Sequence, residues 1–354
     1  MLDSLARRPR SSWLFSLARG RRSNLPGQRE AAAEAQLNRS APLNTVNHFP
    51  VSDELFSRLS VADIGAIEAS LAPQRRDLCQ GFLRDGEDSL FKHHMIAFAV
   101  HEGPDEVVEK LGLLRAAPPE DVHALGRGPL AAGGDYHSAD IIAASLADVG
   151  APLGGAQRGL DFGCSSGRVV RALASAFPQM QWHGCDPIPG AVEWAQSNLP
   201  EISFELSPLR PPLEHPDASF DLAFAWSVWS HFGAEPGTAW LAEMHRVIRP
   251  GGHLLITTHG PTALYEWYRR DAWNSADLCA IRDELSSGGF AFREVFGAEG
   301  DGGVPQKDWG NAFMTLDWLA ERACPGWSIQ LYAQGRIYET QDLVVLRREA
   351  QTDV

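Results

Sequence analysis

At 354 residues and 44% hydrophobic content, the chain is long enough for a large core plus a smaller appendage. No apolar run approaches the roughly 20 residues of a membrane-spanning helix, which argues against an integral membrane protein. The net charge of −14 is unevenly divided: eight arginines against Asp3, Glu30 and Glu34 give the first 40 residues +5 and leave the rest at −19. So acidic a body repels phosphate backbones, and a nucleic-acid partner is not expected.

Residues 1–45 read as a basic arm in which Arg7, Arg8, Arg10, Arg19, Arg21 and Arg22 surround Trp13-Leu14-Phe15. Its composition predicts disorder, with contact to an anionic surface as its candidate role. Residues 46–130 change to short helical patterns and are expected to form an N-terminal helical cap. Ser60 and Asp63 fit a capping box ahead of Ile64, Ile67 and Leu71, and Val107, Val108, Leu111 and Leu114 mark a further helix. His93, His94 and His101 share an apolar stretch but have no carboxylate at metal-ligand spacing, so they are read as packing or surface residues and no metal is expected. Cys79, Cys164, Cys185, Cys279 and Cys324 are scattered, which suits a reducing, cytoplasmic setting. Cys164 and Cys185 are read as small packing residues rather than nucleophiles.

Residues 131–349 are expected to form the main domain. A helix through Ile141, Ile142 and Leu146 leads from Gly133-Gly134 into strands placed near 158–163, 181–185, 202–206, 221–226, 253–258, 327–333 and 342–348. Strands alternating with helices predict an α/β, doubly wound, Rossmann-like, mainly parallel seven-stranded sheet. Residues 260–312 are set apart as an insertion over the site. The most informative run is Leu160-Asp161-Phe162-Gly163-Cys164-Ser165-Ser166-Gly167: a short strand, a glycine-bearing turn, then a helix whose apolar face carries Val169, Val170, Leu173, Ala174 and Phe177. Gly163 lets the backbone bend and approach a ligand, and Gly167 lets the helix pack closely. Asp186 ends the second strand about 20 residues past the loop, where a carboxylate can accept both hydroxyls of a ribose.

These motifs resemble the class I S-adenosylmethionine-dependent methyltransferases over residues 134–348. The resemblance continues through Ser219-Phe220-Asp221 to Trp226, and through the helix from Leu241 to Arg246 that ends in Arg249-Pro250-Gly251-Gly252 before a strand. It departs at Ser165, where the middle glycine of the loop is usual. The resemblance implies S-adenosylmethionine as cofactor and an antiparallel last strand from Gln341. It also implies cofactor contacts from Asp161, Gly163, Cys164, Ser165, Gly167, Asp186, Pro187, Leu209, Trp226 and Ser227. A dinucleotide loop would place a further glycine close to the pyrophosphate, and this loop offers Gly-x-x-x-Gly instead.

Methyl transfer requires in-line alignment, exclusion of water and, for a hydroxyl acceptor, removal of a proton. In similar enzymes the segment after the fourth strand, here Trp226 to Phe232, runs past the cofactor toward the acceptor. His231 is the titratable group in it and the candidate general base, although a helix-start histidine bonded to backbone fits equally. Tyr136, Trp229 and His259 are candidate acceptor contacts, with His137, Tyr265 and Trp309 as weaker ones. The fourth-strand exit lacks the Asp/Asn-Pro-Pro-Tyr that similar enzymes use on planar amides and base amines and the Pro-Cys used for cytosine C5, so by that resemblance those acceptor classes recede. The expectation is O-methylation of a small-molecule, sugar or glycan-linked acceptor. A catalytically silent cofactor-binding scaffold and an NAD-dependent oxidoreductase stay open as alternatives.

Overall fold

The computed structural model describes residues 48–119, 122, 134–296, 304, 308–323 and 326–350. The arm expected over 1–45, together with Cys324 and Gly133, lies outside them. Among the described residues, no helix is long and apolar enough to cross a membrane and no His, Cys, Asp and Glu cluster could hold a metal ion.

Among the described residues, five helices come first: α1 (Pro50–Phe56), α2 (Val61–Ser70), α3 (Pro73–Arg84), α4 (Asp88–Glu102) and α5 (Asp105–Lys110). The capping box forms as the sequence predicts, with Asp63 N donating to Ser60 Oγ at 3.2 Å and Ser60 N to the Asp63 carboxylate at 2.7 Å. Ile67 and Leu71 turn inward from that helix and are fully covered. Helix α6 (Tyr136–Asp148) follows and is joined to the first five by a buried carboxylate. Asp140 Oδ1 accepts from Val51 N (2.8 Å) and Ser52 N (3.1 Å), and Oδ2 accepts from Ser52 Oγ at 2.6 Å. His93 Nδ1 lies 2.9 Å from the same Oδ2. His93 therefore does have a carboxylate partner, supplied by an element 47 residues away rather than at ligand spacing.

Beyond α6 the chain alternates: β1 (Arg158–Phe162), α7 (Val170–Ala176), β2 (Gln181–Asp186), α8 (Pro189–Asn198), β3 (Ser203–Leu206), β4 (Phe220–Ala225), α9 (Ala234–Val247) and β5 (Ile248–Thr258). The described residues of the segment 260–312, expected as an insertion, are largely regular. They hold α10 (Pro261–Arg269), α11 (Ser275–Gly288) and β6 (Phe290–Arg293), and they open β7 (Asn311–Met314), which pairs antiparallel with β6. The chain closes with α12 (Leu316–Ala323), β8 (Trp327–Ile337) and β9 (Gln341–Arg348).

The main sheet runs β3-β2-β1-β4-β5-β9-β8, with β9 antiparallel to both neighbours and every other pairing parallel. This is the doubly wound sheet with an antiparallel last strand that the sequence implied. Period-2 alternation serves two cores at once. Leu222, Phe224, Leu343 and Val345 face the cluster shared with α1, α4, α6 and α7, while Ala223, Ala225, Val344 and Leu346 face the cluster under α9 and α12. The N-terminal helices thus share a continuous core with one sheet face. A third, smaller cluster of Leu264, Trp267, Leu278, Ile281, Leu285 and Phe313 binds α10, α11 and the hairpin together.

Candidate functional site

Strand order reverses between β1 and β4, and in open α/β sheets ligands bind beyond the carboxyl ends of the strands at that point. The loop after β1 occupies the position. Gly163 and Cys164 both donate backbone N–H to Cys185 O, at 2.8 and 3.1 Å, which straps the loop to the end of β2. Gly163 has φ +79°, and a Cβ there would stand 2.5 Å from Val228 Cγ2. Gly167 has φ +78° and is packed against Leu199 and Phe204, so the helix that follows can approach α8 and β3. Ser165, which stands where a glycine is usual, also takes a positive φ of 50°. Its N–H donates to Asp186 Oδ2 at 2.7 Å, so a charged acceptor holds a conformation that glycine would adopt without strain.

Asp186 is 6% exposed, and its other oxygen accepts from Ile188 N at 3.0 Å. These backbone bonds fix the carboxylate at the tip of β2, with Pro187 next along the chain. Asp161 is 2% exposed on β1. Burial pushes its carboxyl well above the usual range and the nearby Asp186 charge adds to this, while Arg168 and the Val170 backbone oppose it. The Cys164 and Cys185 thiols are likewise pushed up by burial, as suits packing rather than nucleophilic side chains. A narrow pocket opens here, lined by Asp161, Gly163, Cys164, Ser165, Arg168, Val169 and Trp226. Arg168 was not singled out from the sequence, although a cation directly after the last loop glycine was the available signal.

The sequence pattern of the methyltransferase domain family matches residues 160–252, from β1 to the paired glycines of β5. Residues 160–252 thus carry the methyltransferase domain pattern, on the doubly wound sheet that the sequence resemblance implied. Over 139 residues it is 32% identical to the biotin biosynthesis bifunctional protein BioCD of Bordetella avium, covering 38% of this chain and 28% of that one. Over 147 residues it is 31% identical to the malonyl-acyl-carrier protein O-methyltransferase of Hahella chejuensis, covering 39% of this chain and 50% of that one. The chain therefore spans half or less of these relatives. A solved S-adenosylmethionine-dependent methyltransferase from Methanosarcina mazei is 15% identical, with a TM-score of 0.42 over 56% of this chain and 95% of that one.

The residues of this methyltransferase domain suit the cofactor of its family. Bare backbone at Gly163, the buried Asp161 carboxylate and the Trp226 indole line one pocket, and Asp186 is tied to the same loop through Ser165 N. From Trp226 the chain leaves β4 through Ser227, held at φ +60° by Thr257 Oγ1, which accepts its N–H at 2.8 Å, and by Gln341 Oε1, which accepts its hydroxyl at 3.1 Å. Val228 then packs on Gly163, and the segment reaches His231.

His231 is 4% exposed and its Nδ1 donates to Gly310 O at 2.6 Å, which makes Nε2 the lone-pair nitrogen. Strand β7 lies along this segment. Gly310 N donates to His231 O, Ala312 N to Ser230 O and Met314 N to His259 O, all at 2.8–2.9 Å. Trp309 lies over the His231 ring at 5.0 Å, and the His259 ring is 6.2 Å away. His259 is fully buried between Trp267 and Phe313, and burial together with His231 lowers its pKa to about 3. Neither of its nitrogens makes a well-formed hydrogen bond, the Ala312 backbone approaching without good geometry.

The remaining candidates are dispersed. Trp229 is enclosed in the core beside Phe162, Phe232 and Trp240, with its N–H given to Gly237 O at 3.2 Å, so this ring packs rather than lines an opening. Tyr136 is 4% exposed within the other core, at the start of α6. Leu209 is 46% exposed after β3, and Tyr265 is 64% exposed on α10. His137 meets the rings of His93 and Tyr338.

Proposed function

We propose that the protein is an S-adenosylmethionine-dependent O-methyltransferase acting on a small-molecule, sugar or glycan-linked acceptor at the tips of β4 and β5. The observation that carries this reading is the continuous path from Trp226, in the cofactor pocket, through Val228 against Gly163, to His231 pinned by Gly310 O. When bound, the cofactor supplies an electrophilic methyl group on sulfur. Asp186 is placed to take the ribose hydroxyls and Asp161 the ammonium, each through charge-assisted hydrogen bonds. Cys164, Ser165, Gly167, Pro187, Leu209 and Ser227 complete the proposed cofactor contacts. Trp309, Phe296 and Phe313 exclude water from the acceptor side. His231 Nε2 removes the proton of an acceptor hydroxyl, while the Nδ1 bond to Gly310 O holds the ring in the required tautomer.

A second reading is favoured by the relative named for a malonyl-acyl-carrier protein: methylation of a carboxylate oxygen on a carrier-linked acyl group. A carboxylate is already ionised and needs no base. Transfer of tritiated methyl groups to hydroxyl, carboxyl and carrier-linked panels decides between them. Labelling of hydroxyl acceptors that is lost in His231→Ala supports the first reading. Labelling confined to carboxylates and indifferent to His231→Ala replaces it with the second, and absence of labelling throughout leaves the cofactor-binding scaffold.

A further inference from the structure

Beyond the tip of β5, where Thr258 pairs with Asp342, the hairpin of β8 and β9 turns through two consecutive non-glycine residues in the left-handed region: Tyr338 at φ +51° and Glu339 at φ +63°. Such a conformation costs free energy and persists only where neighbouring structure enforces it. Three separate anchors do so here. Glu339 is ion-paired to Arg269 and Arg270 at the end of α10, and Arg270 also donates to Tyr338 O at 3.2 Å. Asp342 accepts from Gly335 N at 2.8 Å and from the Tyr332 hydroxyl at 2.7 Å. Gln341 accepts at 3.1 Å from the Ser227 hydroxyl at the β4 exit, one residue from the pocket-lining Trp226. The tyrosine held out by this braced tip is 46% exposed, so core packing does not account for the strain.

We propose that Tyr338 is an acceptor contact that selects hydroxylated rings, a sugar or a phenol, by offering its ring face at the mouth of the cofactor pocket; this rests on the methyltransferase reading of that pocket and not on the role of His231. Placement supports it. The Tyr338 ring lies 5.9 Å from the His137 ring at the start of α6, close to Asp135, which is ion-paired to the pocket-lining Arg168. Burial around the hydroxyl pushes the Tyr338 phenol pKa up and Asp135 adds to this, with Arg168 opposing. The hydroxyl end is therefore set inward beside the pocket rim, while the flank of the ring stays open. The two other exposed tyrosines among the described residues, Tyr265 and Tyr268, stand on α10, which Glu339 ties to the same tip. A tyrosine ring gives a large, rigid, amphipathic surface at low entropy cost, and its face covers a ring more completely than an open chain.

The test uses the full chain, tritiated S-adenosylmethionine and two sets of hydroxyl probes: methyl glucopyranosides and catechols as rings, butanediol and glycerol as open chains. Tyr338→Ala should raise KM for the ring probes and lower their kcat/KM relative to the open-chain probes by about 10-fold, the span of one lost aromatic stack. S-adenosylhomocysteine affinity should stay within about twofold of the parent. Tyr338→Phe, which keeps the ring, should recover most of the loss. Tyr338→Gly relieves the left-handed backbone, so it should melt at the parent's temperature or above while losing the ring probes as Tyr338→Ala does, which separates recognition from folding. Equal losses for both probe sets, a fall in S-adenosylhomocysteine affinity to match, or a Tyr338→Phe variant no better than Tyr338→Ala would each overturn the assignment. So would a parent that binds S-adenosylhomocysteine and methylates no ring probe. If the parent does not bind S-adenosylhomocysteine, the methyltransferase reading fails first and this inference with it.

Discussion

Gly163→Ala tests whether the loop geometry governs the site. The substitution meets two separate obstacles. The backbone at 163 has φ +79°, a left-handed conformation that costs an L-residue about 1–2 kcal/mol. The added Cβ would also stand 2.5 Å from Val228 Cγ2, and overpacking of this kind costs about 1–3 kcal/mol. The sum is about 2–5 kcal/mol, enough to unfold a large share of a marginal domain. Val228→Ala separates the two contributions: it makes a small cavity by itself, but in the double variant it removes the overlap. Urea unfolding of both single variants and the double variant should therefore give a double variant about 1–3 kcal/mol more stable than additivity predicts. S-adenosylhomocysteine affinity should follow only the φ contribution. A single variant within 0.5 kcal/mol of the parent, or strictly additive costs, would show that Gly163 and Val228 are not held in contact and would remove the link between the loop and the β4 exit.

Asp161 makes cofactor affinity pH-dependent. Burial raises its pKa, so the ligand-free native state holds a proton above the pH at which the unfolded chain has lost it, and stability falls as pH rises through that window. A cationic ligand needs the ionised form, so affinity should fall as pH drops through the raised pKa, and Asp161→Asn should abolish the dependence; a parent affinity that does not change with pH would count against the assignment. His231→Ala should lower single-turnover rates on a hydroxyl acceptor by about 10² to 10⁴ with cofactor affinity intact, and unchanged rates would make His231 structural. Asp140→Ala should cost about 3–5 kcal/mol in urea unfolding, because it leaves Val51 N, Ser52 and His93 without their shared buried acceptor; a loss under 1 kcal/mol would mean that the N-terminal helices dock without it.

The seven strands of the main sheet were legible from apolar or alternating runs set between helical patterns. Their ends agree with the sequence reading to within a residue or two at β1, β2 and β4. Strand β5 begins five residues earlier than its expected start at 253, since Ile248 pairs with Phe220 before the register shifts at Leu222 and His253. The β6–β7 hairpin was missed for a physical reason: its strands have four residues each and lie far apart in sequence, so no turn signal joins them. Helices α10 and α11 did leave a trace, in Ala263, Leu264 and Trp267 and in Leu278, Ile281 and Leu285, but nearby glycines and aromatics masked it. In the candidate site, residues that belong to local motifs could be singled out from the sequence, whereas their contacts with distant partners could not. The glycine loop, Asp161 and Asp186 form one sequence signature. Arg168 gains its meaning from Asp135, and His231 its tautomer from Gly310, both far along the chain.

Titration of the full chain with S-adenosylhomocysteine, repeated with Asp186→Ala, tests the central claim most directly. Saturable one-to-one heat from the parent, weakened about 10- to 100-fold in the variant through loss of a charged ribose contact, is the predicted result. No heat from the parent alongside a clear NADH titration would contradict the account.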